Sequence, residues 1–147
     1  MFRATIWQAL GAAALLACNG CGRGMETIPV AGIATLDGQP VADAGILFLP
    51  VAGGRPASAT TDAAGRFELS TLDPGDGAIP GEHRVTVNLL RLTNVEQNEQ
   101  GEMIVLPGGT RTEWIVPERY SKAETSGLVV EVKSGMNAAI LNLTTSP

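Results

Sequence analysis

Histidine, cysteine and aromatic residues are scarce in this sequence, and each scarcity removes a class of function. A single histidine, His83, rules out a multi-histidine metal site. The two cysteines, Cys18 and Cys21, both sit near the front of the chain, so no disulfide is available to staple the remainder. Lys and Arg together number ten and never cluster, so the electrostatic footprint of a nucleic-acid binder is missing. No apolar stretch reaches the ~20 residues that a transmembrane helix needs. There is no Gly-x-Ser-x-Gly elbow to present a nucleophile.

What is present suits one small folded domain. The chain has 147 residues, 44% of them hydrophobic and 17% charged, so a core can form and disorder is not expected. Eighteen glycines and nine prolines favour short strands joined by tight turns. The formal net charge is −5, and removal of residues 1–17 takes away Arg3 to leave −6. Mild acidity of this kind serves solubility.

Residues 1–24 have the organisation of an export leader followed by a tether. Met1–Arg3 supply a positive start, and Ala4–Ala17 are uncharged. As a helix that run spans about 21 Å, short of the ~30 Å hydrocarbon core. It ends in Leu15-Leu16-Ala17-Cys18, which resembles the lipobox of bacterial lipoproteins. The resemblance implies a diacylglyceryl thioether on Cys18, cleavage of residues 1–17, and a lipidated tether over 18–26. Two acyl chains meet the requirement of two signals for stable membrane attachment. Cys21 is the alternative acceptor, although Cys18 would then stand at the aliphatic position. A Cys18–Cys21 disulfide is a further alternative, which the thioether excludes. Asn19, rather than Asp, follows the lipidated position, which points to the outer membrane or cell surface.

From Thr27 onward, short apolar or alternating runs are separated by turn signals. Strands are expected over Ile28–Leu36, with Gly32 weakening the middle, and over Ala44–Pro50, with Asp37-Gly38-Gln39-Pro40 turning between them. Ala57–Thr61 and Arg66–Thr71 flank Asp62-Ala63-Ala64-Gly65 and read as a hairpin. His83–Asn88 alternates polar and apolar residues within a strand over Ile79–Leu90, placing His83 half-exposed. Leu128–Lys133 and Ala138–Thr144 complete the set around a turn at Ser134–Asn137. About seven strands so punctuated predict an all-β, antiparallel β-sandwich domain over 27–147. Residues 91–112 interrupt the pattern. They are polar over Thr93–Glu102 and apolar only at Met103–Leu106, and are expected as a solvated polar insertion.

The run Val30-Ala31-Gly32 through Leu36-Asp37-Gly38-Gln39-Pro40-Val41-Ala42-Asp43-Ala44 resembles the opening of carboxypeptidase regulatory-like domains. Thr61-Asp62-Ala63-Ala64-Gly65-Arg66-Phe67 and Pro80-Gly81-Glu82-His83-Arg84-Val85 resemble that family's later motifs. Ala44-Gly45 stands where Gly-Ala is usual, and His83 where an aromatic residue is frequent. Val116-Pro117-Glu118-Arg119-Tyr120 with Thr125-Ser126-Gly127-Leu128 is similar to small bacterial lipoproteins carrying this domain. The resemblance covers Ile28 to Leu143 and implies a transthyretin-like (Ig-like) topology with Phe67 between the sheets. It implies no activity, since a fold hosts unrelated functions. Relatives of this fold that hydrolyse 5-hydroxyisourate rely on several histidines and a Tyr-Arg-Gly-Ser motif. Leu143-Thr144-Thr145-Ser146-Pro147 stands here instead, so that activity is not expected.

Other candidates for chemistry have structural readings. Asp73-Pro74-Gly75-Asp76-Gly77 offers two carboxylates but lacks calcium-loop spacing, and reads as a turn. Trp114 and Tyr120 read as core or rim packing rather than a sugar platform. Asn142-Leu143-Thr144 matches a glycosylation sequon by chance. The expectation is a non-catalytic envelope module without cofactor or metal, held to a membrane through Cys18 and mediating protein or glycan interactions. A structural envelope protein without a discrete ligand is the alternative, and an enzyme with an unrecognised site a more distant one.

Overall fold

The computed structural model describes residues 25–136 and 138–147. The leader and both cysteines lie outside the described residues. Alternation of side chains along each strand decides the architecture, because every second residue must find a core.

In the first sheet, β1 (Ala31–Leu36) lies at the centre. β12 (Ala139–Leu143) runs parallel along one side, with Gly32 opposite Ala139 and Leu36 opposite Leu143. The other side is shared by the two-residue β2 (Gln39–Pro40) and by β5 (Arg66–Glu68), both antiparallel to β1. The second sheet is fully antiparallel, in the order β11 (Leu128–Val132), β6 (Gly81–Asn88), β3 (Gly45–Pro50) and β4 (Ala57–Thr60). Apart from the β2 stub, seven strands thus form the two sheets, and the all-β sandwich expected from the turn spacing is present.

The two inner faces meet in one core. Ala34, Leu141 and Leu143 from the first sheet pack with Ile46, Phe48, Val85, Val87 and Val132 from the second, all at most 2% exposed. Phe67 reaches this core from β5, its ring centroid 6.3 Å from that of Phe48 at a tilt of 51°. Gly32, expected to weaken β1, is what admits Phe67. A Cβ at Gly32 would stand 2.4 Å from the Phe67 ring and 2.3 Å from the carbonyl oxygen of Ala139. Small residue and large residue are two halves of one packing solution.

Turn chemistry places the remaining chain. Asp37 and Gly38 both take positive φ, 49° and 83°, which gives the tight two-residue link from β1 to β2. The link between β4 and β5 matches expectation in its turn and only in part in its strands. Asp62 Oδ1 accepts from the amides of Ala64 and Arg66, so the turn forms. The flanking strands, however, enter different sheets, β4 pairing with β3 and β5 with β1. The expected hairpin survives as one antiparallel bridge, Ser58 with Ser70, whose amides and carbonyls exchange two 2.9 Å hydrogen bonds, while the rest of each strand pairs within its own sheet.

His83 also departs from expectation. It is 1% exposed, inside the sandwich, with its ring centroid 5.9 Å from that of Phe48. Its Nε2–H donates to the carbonyl of Ile79 at 3.1 Å, while Nδ1 has no partner among the described residues. Burial holds the imidazole below its ordinary pKa, which favours the neutral ring. The period-two alternation of β6 is present, and His83 is the polar member of its inward-facing set with Val85 and Val87.

Candidate functional site

Residues 91–112 are solvated, as expected, but they form paired strands rather than an irregular loop. β6 continues past Leu89 into β7 (Leu90–Thr93) and β8 (Val95–Gln97), and the chain returns through β9 (Met103–Val105) and β10 (Arg111–Trp114). β7 pairs with β10, and β8 with β9, as two-stranded ribbons separate from both sheets. Together they make an arm of at most about 26 Å, at ~3.3 Å per residue over Leu90–Gln97.

Local chemistry holds the arm in shape. At its root, the amides of Ile115 and Val116 both donate to the carbonyl of Leu89, at 3.0 and 3.2 Å. Midway, Asn94 takes φ of 62°, and its Nδ2 donates to the carbonyls of Leu106, Pro107 and Gly109. That side chain organises the Pro107-Gly108-Gly109 excursion. At the tip, Asn98 Oδ1 accepts from the amides of Gln100 and Glu102, closing the turn. These polar residues are therefore turn builders, which explains why the composition resembled a solvated insertion.

The apolar residues between them are left in water. Leu90, Leu92, Met103, Ile104, Val105 and Trp114 are 37–61% exposed, and they are six of the eleven exposed large hydrophobics among the described residues. Leu90, Leu92 and Trp114 share one face of the root ribbon, because Trp114 pairs with Leu90 and Thr112 with Leu92. Arg91 and Glu113 occupy the other face, 3.7 Å apart and well exposed, a pair that contributes little to stability. The tip carries Glu96, Glu99 and Glu102, and no basic residue lies between Asn94 and Thr110. A concentration of exposed apolar side chains rimmed by charge is the usual mark of an interaction surface.

The arm occupies one pole of the sandwich. Ile28 bridges to Ala78, just before β6 begins, so the described chain enters at the opposite pole. The arm leaves from the far end of β6. Beside its root, a 3-10 helix (Glu118–Ser121) clasps the final residues. Arg119 Nη2 donates to the carbonyls of Thr144 and Ser146, and its guanidinium lies 4.7 Å over the Tyr120 ring. Tyr120 OH accepts from the Thr144 amide at 3.0 Å. Asp37 accepts from both the amide and hydroxyl of Thr145, which keep its carboxyl below the usual pKa. Tyr120 is thus buried packing, as expected. Its role as a clamp for the chain end could not be read from the sequence, since its partners are 24 residues away.

The remaining candidates resolve into structure. Asp76 accepts from the amides of Thr71, Leu72 and Asp73, and these donors lower its pKa. Its carboxylate closes the Asp73–Gly77 turn. Among the described residues no group of three or more His, Cys, Asp or Glu side chains is placed to hold a metal ion. An open groove of about 790 Å³ crosses the outer face of the first sheet by Ile33, Thr60, Asp62, Arg66 and Glu68. It contains no nucleophile paired with a base. No helix among the described residues is long and apolar enough to cross a membrane. Compared with protein-family models, curated proteins and solved structures, the chain matches none.

Proposed function

We propose that this protein is a lipid-anchored, non-catalytic module of the bacterial cell envelope that contacts other proteins through its β-ribbon arm. The observation that carries the interaction reading is the arm's set of exposed apolar side chains, Leu90, Leu92, Met103, Ile104, Val105 and Trp114. Shape supports it as well. The described chain enters the sandwich at the pole where Ile28 meets Ala78, so a tether from Cys18 would attach at the end opposite the arm. The non-catalytic part of the reading is supported by His83, whose ring is enclosed by the core and tied to the Ile79 carbonyl. The family reading, a carboxypeptidase regulatory-like domain of transthyretin-like topology, belongs to the same proposal and draws on the turn motifs around Gly38 and Gly65.

A protein partner suits the arm better than a glycan, because sugar platforms need aromatic faces and the arm has Trp114 alone. Two measurements test the reading. Intact-mass analysis of the envelope fraction should give a chain beginning at Cys18 with added diacylglycerol. A cytosolic chain retaining Met1 and an unmodified thiol contradicts anchoring. Crosslinked pull-downs should recover a reproducible envelope protein that disappears with Leu92→Ser/Met103→Ser, and an unchanged recovery contradicts the role of the arm.

A further inference from the structure

We infer that His83 is an acid-sensitive latch: when its ring takes up a proton, the end of the sandwich where the described chain enters opens, and Ile28 parts from Ala78. The latch is independent of both the arm and the anchor. His83 Nε2–H donates to the carbonyl of Ile79 at 3.1 Å. The residue before Ile79, Ala78, is fully buried and exchanges two backbone hydrogen bonds with Ile28, at 2.8 and 3.0 Å. Gly77 permits this approach at φ of 91°, since a Cβ there would stand 2.6 Å from Pro29 Cα. One imidazole thus holds, through a single carbonyl, the segment to which the incoming chain is fastened.

Protonation makes Nδ1 a second donor, and Nδ1 is buried with no partner among the described residues. No carboxylate is placed to receive it. β1, β3, β4 and β12 contain no charged residue, and neither does Gly77–Gly81. On β6 itself, Glu82 and Arg84 alternate to the outer face and are exposed. Glu131 of β11 stands opposite Glu82, with Lys133 3.5 Å away. On β5, Arg66 and Glu68 are exposed on either side of buried Phe67. Asp76 is held by the amides of Thr71, Leu72 and Asp73, and Glu26 and Arg55 are exposed. A buried cation without acceptor or counter-charge is costly, so the ring must reach water to keep its proton. The short way out is the Ile79 end, because the β3–β6 register stops where Pro50 meets His83. Burial holds the closed ring below its ordinary pKa, whereas an opened ring regains it. Opening is therefore favoured as pH falls through the ordinary value of 6.5.

Amide hydrogen exchange of the full-length chain, corrected for intrinsic rates and compared between about pH 7.5 and about pH 5, tests the latch. Protection of the Ile28 and Ala78 amides should fall by about thirty-fold over that interval, the gain of an open state that titrates normally over a closed state that binds no proton. At both pH values it should stay below the protection of Val85 and Val87, which marks a local opening. The Leu106 amide in the arm and the Thr144 amide in the clasp, which accept their bonds from Asn94 and Tyr120, should not respond. His83→Gln keeps a donor for the Ile79 carbonyl, and His83→Phe keeps an aromatic ring; neither side chain titrates. Each should make protection at Ile28 and Ala78 independent of pH, and either suffices if the other loses protection at Val85. Protection at Ile28 and Ala78 that ignores pH in the natural sequence overturns the latch. So does a pH response that survives the His83 variants, or one that appears only in step with equal protection at Val85 and Val87, which is global unfolding.

Discussion

The sandwich and its arm are built from the same strand-forming residues and differ in where those residues can go. In β12, Ala139, Leu141 and Leu143 turn inward and are at most 4% exposed. In β7, Leu90 and Leu92 hold the same period-two positions yet are 44% and 50% exposed, because no second layer covers them. One pattern therefore yields stability in the body and an uncovered surface in the arm. Apolar periodicity shows that a face wants company; it does not say whether the company is in the same chain.

Breaking the body should have the largest effect. Phe48 is fully buried against Phe67 and His83, and Phe48→Ala should cost about 3–5 kcal/mol, read by chemical denaturation. Gly32→Ala comes next, at about 1–3 kcal/mol. Its cost should persist in a Phe67→Ala background, since the clash with the Ala139 carbonyl remains after the ring is gone. If Phe67→Ala rescues Gly32→Ala fully, the close approach of β1 and β12 is misjudged.

Loosening the clasp beside the arm root is a smaller perturbation. Arg119→Ala removes hydrogen bonds to the Thr144 and Ser146 carbonyls and should cost about 1–2 kcal/mol, with faster amide exchange at Thr144 and Thr145. His83 supplies a pH-dependent effect. Its folded pKa lies below the unfolded value of 6.5, so below that pH the unfolded state binds the extra proton. Stability should fall as pH drops through 6.5 towards the folded pKa, and His83→Leu should flatten that slope in thermal melts recorded against pH. Smallest of all should be Leu92→Ser in the arm, within about 0.5 kcal/mol, because nothing covers that side chain.

The body was largely legible in the sequence because its cues are local. Asp37-Gly38 and Asp62–Gly65 announced turns that form, and the alternation through Val85 and Val87 announced an inward face. Sheet membership was not legible. The segments flanking Asp62–Gly65 meet only at the Ser58–Ser70 bridge, while β5 joins β1 with Phe67 in the slot left by Gly32, a contact between distant parts of the chain. The arm was hidden for another reason. Asn94, Asn98 and Gly101 act in its bends and tip turn, so the segment has loop composition although its backbone is paired. Met103–Val105, an apolar island without a destination, was the one signal of an uncovered strand. His83 shows the converse, a polar residue at a buried position whose single hydrogen bond runs to a local carbonyl.

The most direct measurement places a photoreactive residue at Met103 on the arm and, separately, at Ile140 on the outer face of the first sheet. Ile140 is the more exposed of the two, 65% against 61%, so accessibility alone favours it. In intact cells the account predicts discrete protein adducts from Met103 and none from Ile140. Equal capture at both positions, or capture at Ile140 alone, would contradict it.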